Sequence, residues 1–145
     1  MRGSRSPLRQ PGDAKLAAER LRAAGLRPTK QRVALANLLF GEEDRHLTAE
    51  TLHDEAHKAG VRVSLATIYN TLHQFTEAQL LKQVTVEAGR SYFDTNIHEH
   101  QHFYVENEGT LIDIPGASIE IAGVPAAPKG MSIDRVDVVV RLKRN

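Results

Sequence analysis

No cysteine occurs among the 145 residues. That absence excludes disulfides, thiolate zinc sites and cysteine nucleophiles together, and it agrees with a reducing, cytoplasmic setting. No run approaches the roughly 18 apolar residues that a membrane helix needs, so no membrane partner is expected. The opening MRGSRSPLRQPG is basic but has no apolar stretch after it, and it does not read as a secretory signal. A phosphate-cradling glycine loop, an HExxH pair and a nucleophile elbow are all missing, which leaves enzyme readings weak. There is no internal repeat and no low-complexity tract. What remains is a chain with 41% hydrophobic and 26% charged residues, ordinary for a soluble globular protein. Its length suits one compact unit or two small ones.

Charge is spread unevenly. Residues 1–90 hold 14 Lys/Arg against 10 Asp/Glu, while residues 91–145 hold 5 against 8. A basic front and an acidic, histidine-bearing back point to different partners for the two halves. Residues 1–12, rich in Pro, Gly, Ser and Arg, read as a disordered tail. From Asp13 the pattern is helical, with Leu16, Arg20, Leu21 and Ala24 at helical spacings and Gly25 as the stop. Thr29 caps a second, broadly apolar helix through Val33, Leu35, Ala36, Leu38, Leu39 and Phe40. GEEDRH reads as a charged loop. Thr48 caps a third helix, with Leu52 and Ala56 inward and Gly60 at its end. Ser64 caps a fourth, LATIYNTLHQFTEAQ, whose Leu65, Ile68, Leu72 and Phe75 form one buried stripe. LLKQVTV, the turn EAGR and SYFD then make a hairpin. Helices, short link, helix and hairpin predict a winged helix-turn-helix over residues 13–95.

From about residue 95 the period changes to two. A first strand carries His98, His100, His102 and Tyr104 on one face, TLIDIP after Gly109 is a second strand, and Ser132–Leu142 is a third. The predicted fold class is α+β: the winged helix-turn-helix followed by a small antiparallel β domain over residues 96–145. About 50 residues with three strands bury too little surface to stand alone, and a valine-rich edge strand invites pairing. A homodimer answers both, and its two-fold axis would present two reading helices to a palindromic double-stranded DNA site. The alternative is a monomer whose sheet packs on its own first half.

Two constellations carry chemistry. The polar face of the fourth helix shows Ala66, Thr67, Tyr69 and Asn70, side chains suited to base edges and thymine methyls. Ser64 and Thr67 reach phosphate or base, and Arg27, Lys30, Arg32 and Arg62 are candidate phosphate contacts. An ordinary amphipathic surface helix is the plainer alternative. The second constellation is the histidine run. At i, i+2 spacing, His98, His100 and His102 stand about 6.5–7 Å apart on one strand face. Imidazole is the commonest metal ligand, and Asp94 and Asp113 lie in or beside strands that could pair with the run. Nitrogen and oxygen donors without sulfur suit Fe(II), Mn(II) or Zn(II), and the imidazoles would equally serve as axial ligands of haem at His98, His100 and His102. An exposed polar strand that happens to hold histidines remains the alternative. His46 alone reads as a surface residue, and His53, Asp54 and His57 as solvated helix polarity. A metal-dependent hydrolase is the remaining option of a different class.

Taken together, these segments resemble the ferric uptake regulator (Fur) family over about residues 14–145. SLATIYNTL (64–72) resembles its recognition-helix signature, LRPTKQR (26–32) its second-helix entry, and HxHxHF its sensory segment. Within the family, SLATIYNTLHQFTEA, SYFDTN, HQHF, IDIP and MSIDRVDVVVRLKR look like the iron response regulator (Irr) subgroup. The resemblance implies a regulatory metal site at His46, Asp94, His100, His102 and Asp113. It implies no auxiliary site: Glu99, Gln101 and Glu120 fall on three of its positions, but no histidine follows His102. Val105 and Glu108 stand where the family has its first cysteine pair. Asn70 replaces a common arginine. Resemblance to the Irr subgroup further implies a transcriptional regulator of iron and haem genes that binds DNA when iron is scarce and releases it when haem binds. Peroxide sensors of the family, which use three histidines and two aspartates with aspartate at the position of Asp94, are the rival expectation.

Overall fold

The computed structural model describes residues 13–87, 90–97, 101–114 and 119–145. The predicted tail, His98, Glu99 and His100 lie outside them. The chain divides into two compact units, residues 1–97 and 98–145.

The first unit is built from four helices: α1 (Asp13–Ala23), α2 (Lys30–Leu39), α3 (Ala49–Lys58) and α4 (Leu65–Glu77). Three of them begin as the sequence implies. The side chains of Thr29, Thr48 and Ser64 accept hydrogen bonds from the backbone N–H groups of Arg32, Thr51 and Thr67, satisfying donors that a helix start otherwise leaves open. Gly25 and Gly60, at φ of 81° and 80°, end α1 and α3 in the left-handed conformation that costs glycine nothing. α4 ends the same way without a glycine, since Gln79 takes φ 64° while Leu80 N–H returns to the Phe75 carbonyl at 2.9 Å.

Leu21, Leu35, Leu39, Leu52, Ile68, Leu72 and Phe75 are fully buried together. Leu65, expected on the same stripe as Ile68, is instead 36% exposed. It occupies the first turn of α4, one turn before the part of the helix that meets the core. Strands β1 (His46–Leu47), β2 (Lys82–Glu87) and β3 (Arg90–Asp94) form an antiparallel sheet in the order β1-β3-β2. The hairpin β2–β3 is the predicted one. Strand β1 takes in His46, the last residue of the expected charged loop; two residues are too few to show a period, yet they pair His46 with Asp94 and Leu47 with Phe93.

The second unit holds β4 (Gln101–Val105), β5 (Thr110–Ile114) and β6 (Val139–Leu142) in the order β5-β4-β6. β4 and β5 pair antiparallel, as expected, across a turn closed by Gly109 at φ 63°. The third strand requires a correction. It spans Val139–Leu142 rather than Ser132–Leu142, and it lies parallel to β4 with His102 opposite Val139. The stretch between Ile114 and Val139 is no hairpin but long enough for a crossover, which takes about a dozen residues or more. Just before β6, the Val138 N–H is donated to the Gln101 side-chain oxygen at 2.6 Å. Among the described residues, Ser132–Asp137 forms no strand. The α+β architecture, helices first and a small sheet unit second, is the one the sequence implies. No described helix is long and apolar enough to cross a membrane.

Candidate metal centre and DNA-reading face

Among the described residues each unit carries a cross-strand histidine–aspartate pair, and both arise by the same device. In an antiparallel ladder, directly opposite residues point to the same side with Cβ atoms about 4.5–5.5 Å apart. In the first unit the β1–β3 register sets His46 opposite Asp94, with His46 Nε2 3.3 Å from Asp94 Oδ2. In the second, the β4–β5 register sets His102 opposite Asp113, with Nε2 3.4 Å from Oδ1.

The burial of the two pairs is reversed. Asp94 is 0% exposed and its histidine only partly so, whereas His102 is 3% exposed and the Asp113 side chain 38%. A buried carboxylate needs hydrogen-bond donors. Asp94 has the His46 imidazole and, through its other oxygen, the Asn96 N–H at 2.9 Å.

Arg45 holds β1 in position. Its guanidinium donates to both Glu55 oxygens at 3.0 and 2.6 Å and to the Leu38 carbonyl at 3.2 Å. Its backbone N–H donates to the Thr95 hydroxyl, and its carbonyl accepts from the Thr95 N–H. The sequence reading missed this clamp; the one visible signal was an arginine beside His46. All four donors of the two pairs are nitrogen or carboxylate oxygen, a set that fits Fe(II), Mn(II) or Zn(II). His98 and His100 lie outside the described residues. Gln101 is engaged with Val138, and Glu120 is exposed. His53 finds a structural role, its Nε2 3.1 Å from the Val63 carbonyl just before α4.

The polar face of α4 gathers most of the other predicted residues. Ala66, Tyr69 and Asn70 are exposed, Thr67 is half-buried, and Ser64 caps the helix with its hydroxyl donating to Thr67 Oγ1 at 3.0 Å. Arg27, Arg32, Thr67 and Asn70 line one polar cleft, together with Thr29, Gln31, Thr71 and Gln74. Arg32 is held in it by donating to the Arg27 carbonyl and the Gln74 side-chain oxygen, each at 3.1 Å. Lys30 and Arg62 are exposed beside this face in sequence.

Tyr69 is more constrained than its sequence position reveals. Its hydroxyl donates to Glu50 Oε2 on α3 at 2.9 Å, and that hydrogen bond, aided by partial burial and the carboxylate charge, pushes its pKa above the ordinary value of 10.0. Its ring lies 6.3 Å from His73, whose ring lies 5.9 Å from Phe93. Glu50 was not among the predicted residues, because a glutamate in the first turn of a helix reads as routine capping charge.

A four-helix unit with a small sheet is thus followed by a sheet unit, and each carries a histidine–aspartate pair. Residues 23–141 match the ferric uptake regulator family. The chain is 33% identical over 115 residues to the ferric uptake regulation protein of Shigella flexneri, covering 78% of each. It is 36% identical over 93 residues to the peroxide-responsive repressor PerR of Staphylococcus epidermidis, covering 64% of this chain and 61% of that one. The ferric uptake regulator of Pseudomonas aeruginosa, solved with manganese, superposes with a TM-score of 0.68 at 28% identity, over 89% of this chain and 98% of the other. The protein belongs to the ferric uptake regulator family.

Proposed function

We propose that the chain is a cytoplasmic, homodimeric transcriptional regulator of iron and haem homeostasis, of the iron response regulator type. It reads a palindromic operator through Ser64–Leu72. Its hold on DNA is modulated by a divalent metal or by haem. The observation that carries this reading is the repeated cross-strand pair, His46 with Asp94 and His102 with Asp113.

The resemblance assigns these four residues, with His100, to one regulatory site. A bound ion would supply the positive charge that carboxylates and imidazoles ligate. The protein's own contribution is orientation. Ladder register aims each Nε2, Asn96 fixes one oxygen of Asp94, and the Arg45–Glu55 clamp holds His46 in place. An effector acts only by its different affinity for two arrangements of the protein. The polar face of α4 supplies base contacts, and the Arg27–Arg32 cleft supplies a phosphate contact that positions without specifying. Dimerisation is supported by the apolar side chains that the second unit leaves exposed, among them Ile112, Ile121, Met131 and Ile133. Haem at His98, His100 and His102 rests on the sequence resemblance.

The test is DNA affinity of the full-length protein, metal-free, with Mn(II), and with haem, at one ionic strength because binding is steeply salt-dependent. Metal-free binding released by haem, with a Soret band lost on His100→Ala with His102→Ala, supports the iron response regulator. No response to any of the three would sink the proposal.

A second reading, peroxide sensing, is favoured by Asp94 and by the PerR relative. It requires that peroxide treatment of the iron-loaded protein add an oxygen atom to a histidine ligand, read by peptide mass spectrometry.

A further inference from the structure

We infer that Glu50 is a specificity-determining residue: by accepting the Tyr69 hydroxyl hydrogen, it leaves the phenol oxygen able to meet DNA only as an acceptor, so that Tyr69 selects an exocyclic amino group, adenine N6 or cytosine N4. The inference rests on α4 being the DNA-reading helix.

A tyrosine hydroxyl has one hydrogen to donate and lone pairs to accept with. Left to rotate, it donates to guanine O6 or thymine O4 as readily as it accepts from an amine, and it discriminates little. Here the single hydrogen is committed to Glu50 Oε2 at 2.9 Å, and a hydrogen bond to a carboxylate is roughly twice as strong as one between neutral groups. In the major groove the donors left to meet the phenol oxygen are the amino groups of adenine and cytosine. The ring is fixed as well as the hydroxyl, because His73 packs against it at 6.3 Å and Phe93 backs His73 at 5.9 Å. With Tyr69 36% exposed, the oxygen is restrained yet reachable. The Glu50 charge has a second effect. A carboxylate on a face that approaches phosphates weakens sequence-independent binding.

The experiment selects binding sites from a random duplex pool with the full-length wild type, Tyr69→Phe, Glu50→Ala and the double variant. The position that depends on Tyr69 is then probed with a purine analogue lacking the 6-amino group where adenine is selected, or with uracil where cytosine is. The wild type is expected to prefer adenine or cytosine there, and Tyr69→Phe to lose about fivefold at that position alone. Glu50→Ala should bring guanine or thymine within about twofold of the preferred base and bind random DNA more tightly. Added to Tyr69→Phe, the Glu50→Ala change should alter no base preference, as a coupled pair requires. Unchanged preference in Glu50→Ala, or additive effects of the two substitutions, overturns the role of Glu50 while leaving the DNA-reading helix in place. A wild type that selects no site removes the DNA-reading assignment and this inference with it.

Discussion

The two units of this chain solve the problem of burying apolar surface differently. In the first, α2, α3 and α4 close around Leu35, Leu39, Leu52, Ile68, Leu72 and Phe75, all at 0% exposure. In the second, Tyr104, Val105, Leu111 and Ile114 are buried, but Ile112, Ile121, Val124, Met131, Ile133 and Val136 are each at least 37% exposed. The first unit is a finished core. The second leaves apolar side chains that a second copy would cover. The difference teaches that self-sufficiency and assembly are divided between the halves, and that they should fail under different perturbations.

The largest expected effect tests the finished core. Phe75→Ala removes a fully buried ring and should cost about 3–5 kcal/mol, seen as a lower midpoint in urea monitored by helical circular dichroism. A loss below about 1 kcal/mol would mean that the core is not as closed as its burial indicates. Next comes the unfinished surface. Met131→Glu with Ile133→Glu should convert a dimer to a monomer in sedimentation equilibrium, since charges are depleted from interface cores, while the helical signal at 25 °C stays at its wild-type value. Retention of the dimer would move the interface elsewhere.

A smaller effect sharpens the contrast within the first unit. Gln79→Gly relieves the left-handed strain at the end of α4 and should stabilise by roughly 0.5–1 kcal/mol, whereas Gly25→Ala and Gly60→Ala at the matching positions should destabilise by a similar amount. The smallest concerns the exposed Glu108–Arg144 pair of the second unit, where the guanidinium hydrogen bond and charge lower the Glu108 pKa below 4.5. A lowered folded value contributes stability above the unfolded value and loses it as pH falls through the folded one. Arg144→Ala should move the Glu108 titration back toward its ordinary value by NMR, with no readable change in unfolding at pH 7.

The same division governs what was legible in the amino-acid order. Helix caps at Thr29, Thr48 and Ser64, glycine stops at Gly25 and Gly60, and the inward Ile68, Leu72 and Phe75 could all be read because each depends on neighbours within one or two turns. Strand β1 and the parallel placement of β6 could not, because pairing across dozens of residues leaves no local trace. The candidate metal residues divide likewise. Asp94, His102 and Asp113 could be proposed from residue type and period, but His46 entered only through family resemblance, and its pairing with Asp94 became visible only with the ladder. Glu50 and the Arg45 clamp were invisible for the same reason. Each is ordinary surface charge until a second helix or strand is set beside it.

The cross-strand origin of the His102–Asp113 pair has an evolutionary corollary. Strand register alone decides that His102 meets Asp113 rather than Ile112 or Ile114, and the tight link ending at Gly109 sets that register. One inserted or deleted residue in the link would shift the frame and place an isoleucine opposite the imidazole, with every ligand still present in the gene. Responsiveness in such a lineage could be lost by a single in-frame codon insertion or deletion that touches no liganding position, and a catalogue of ligand residues would overlook it.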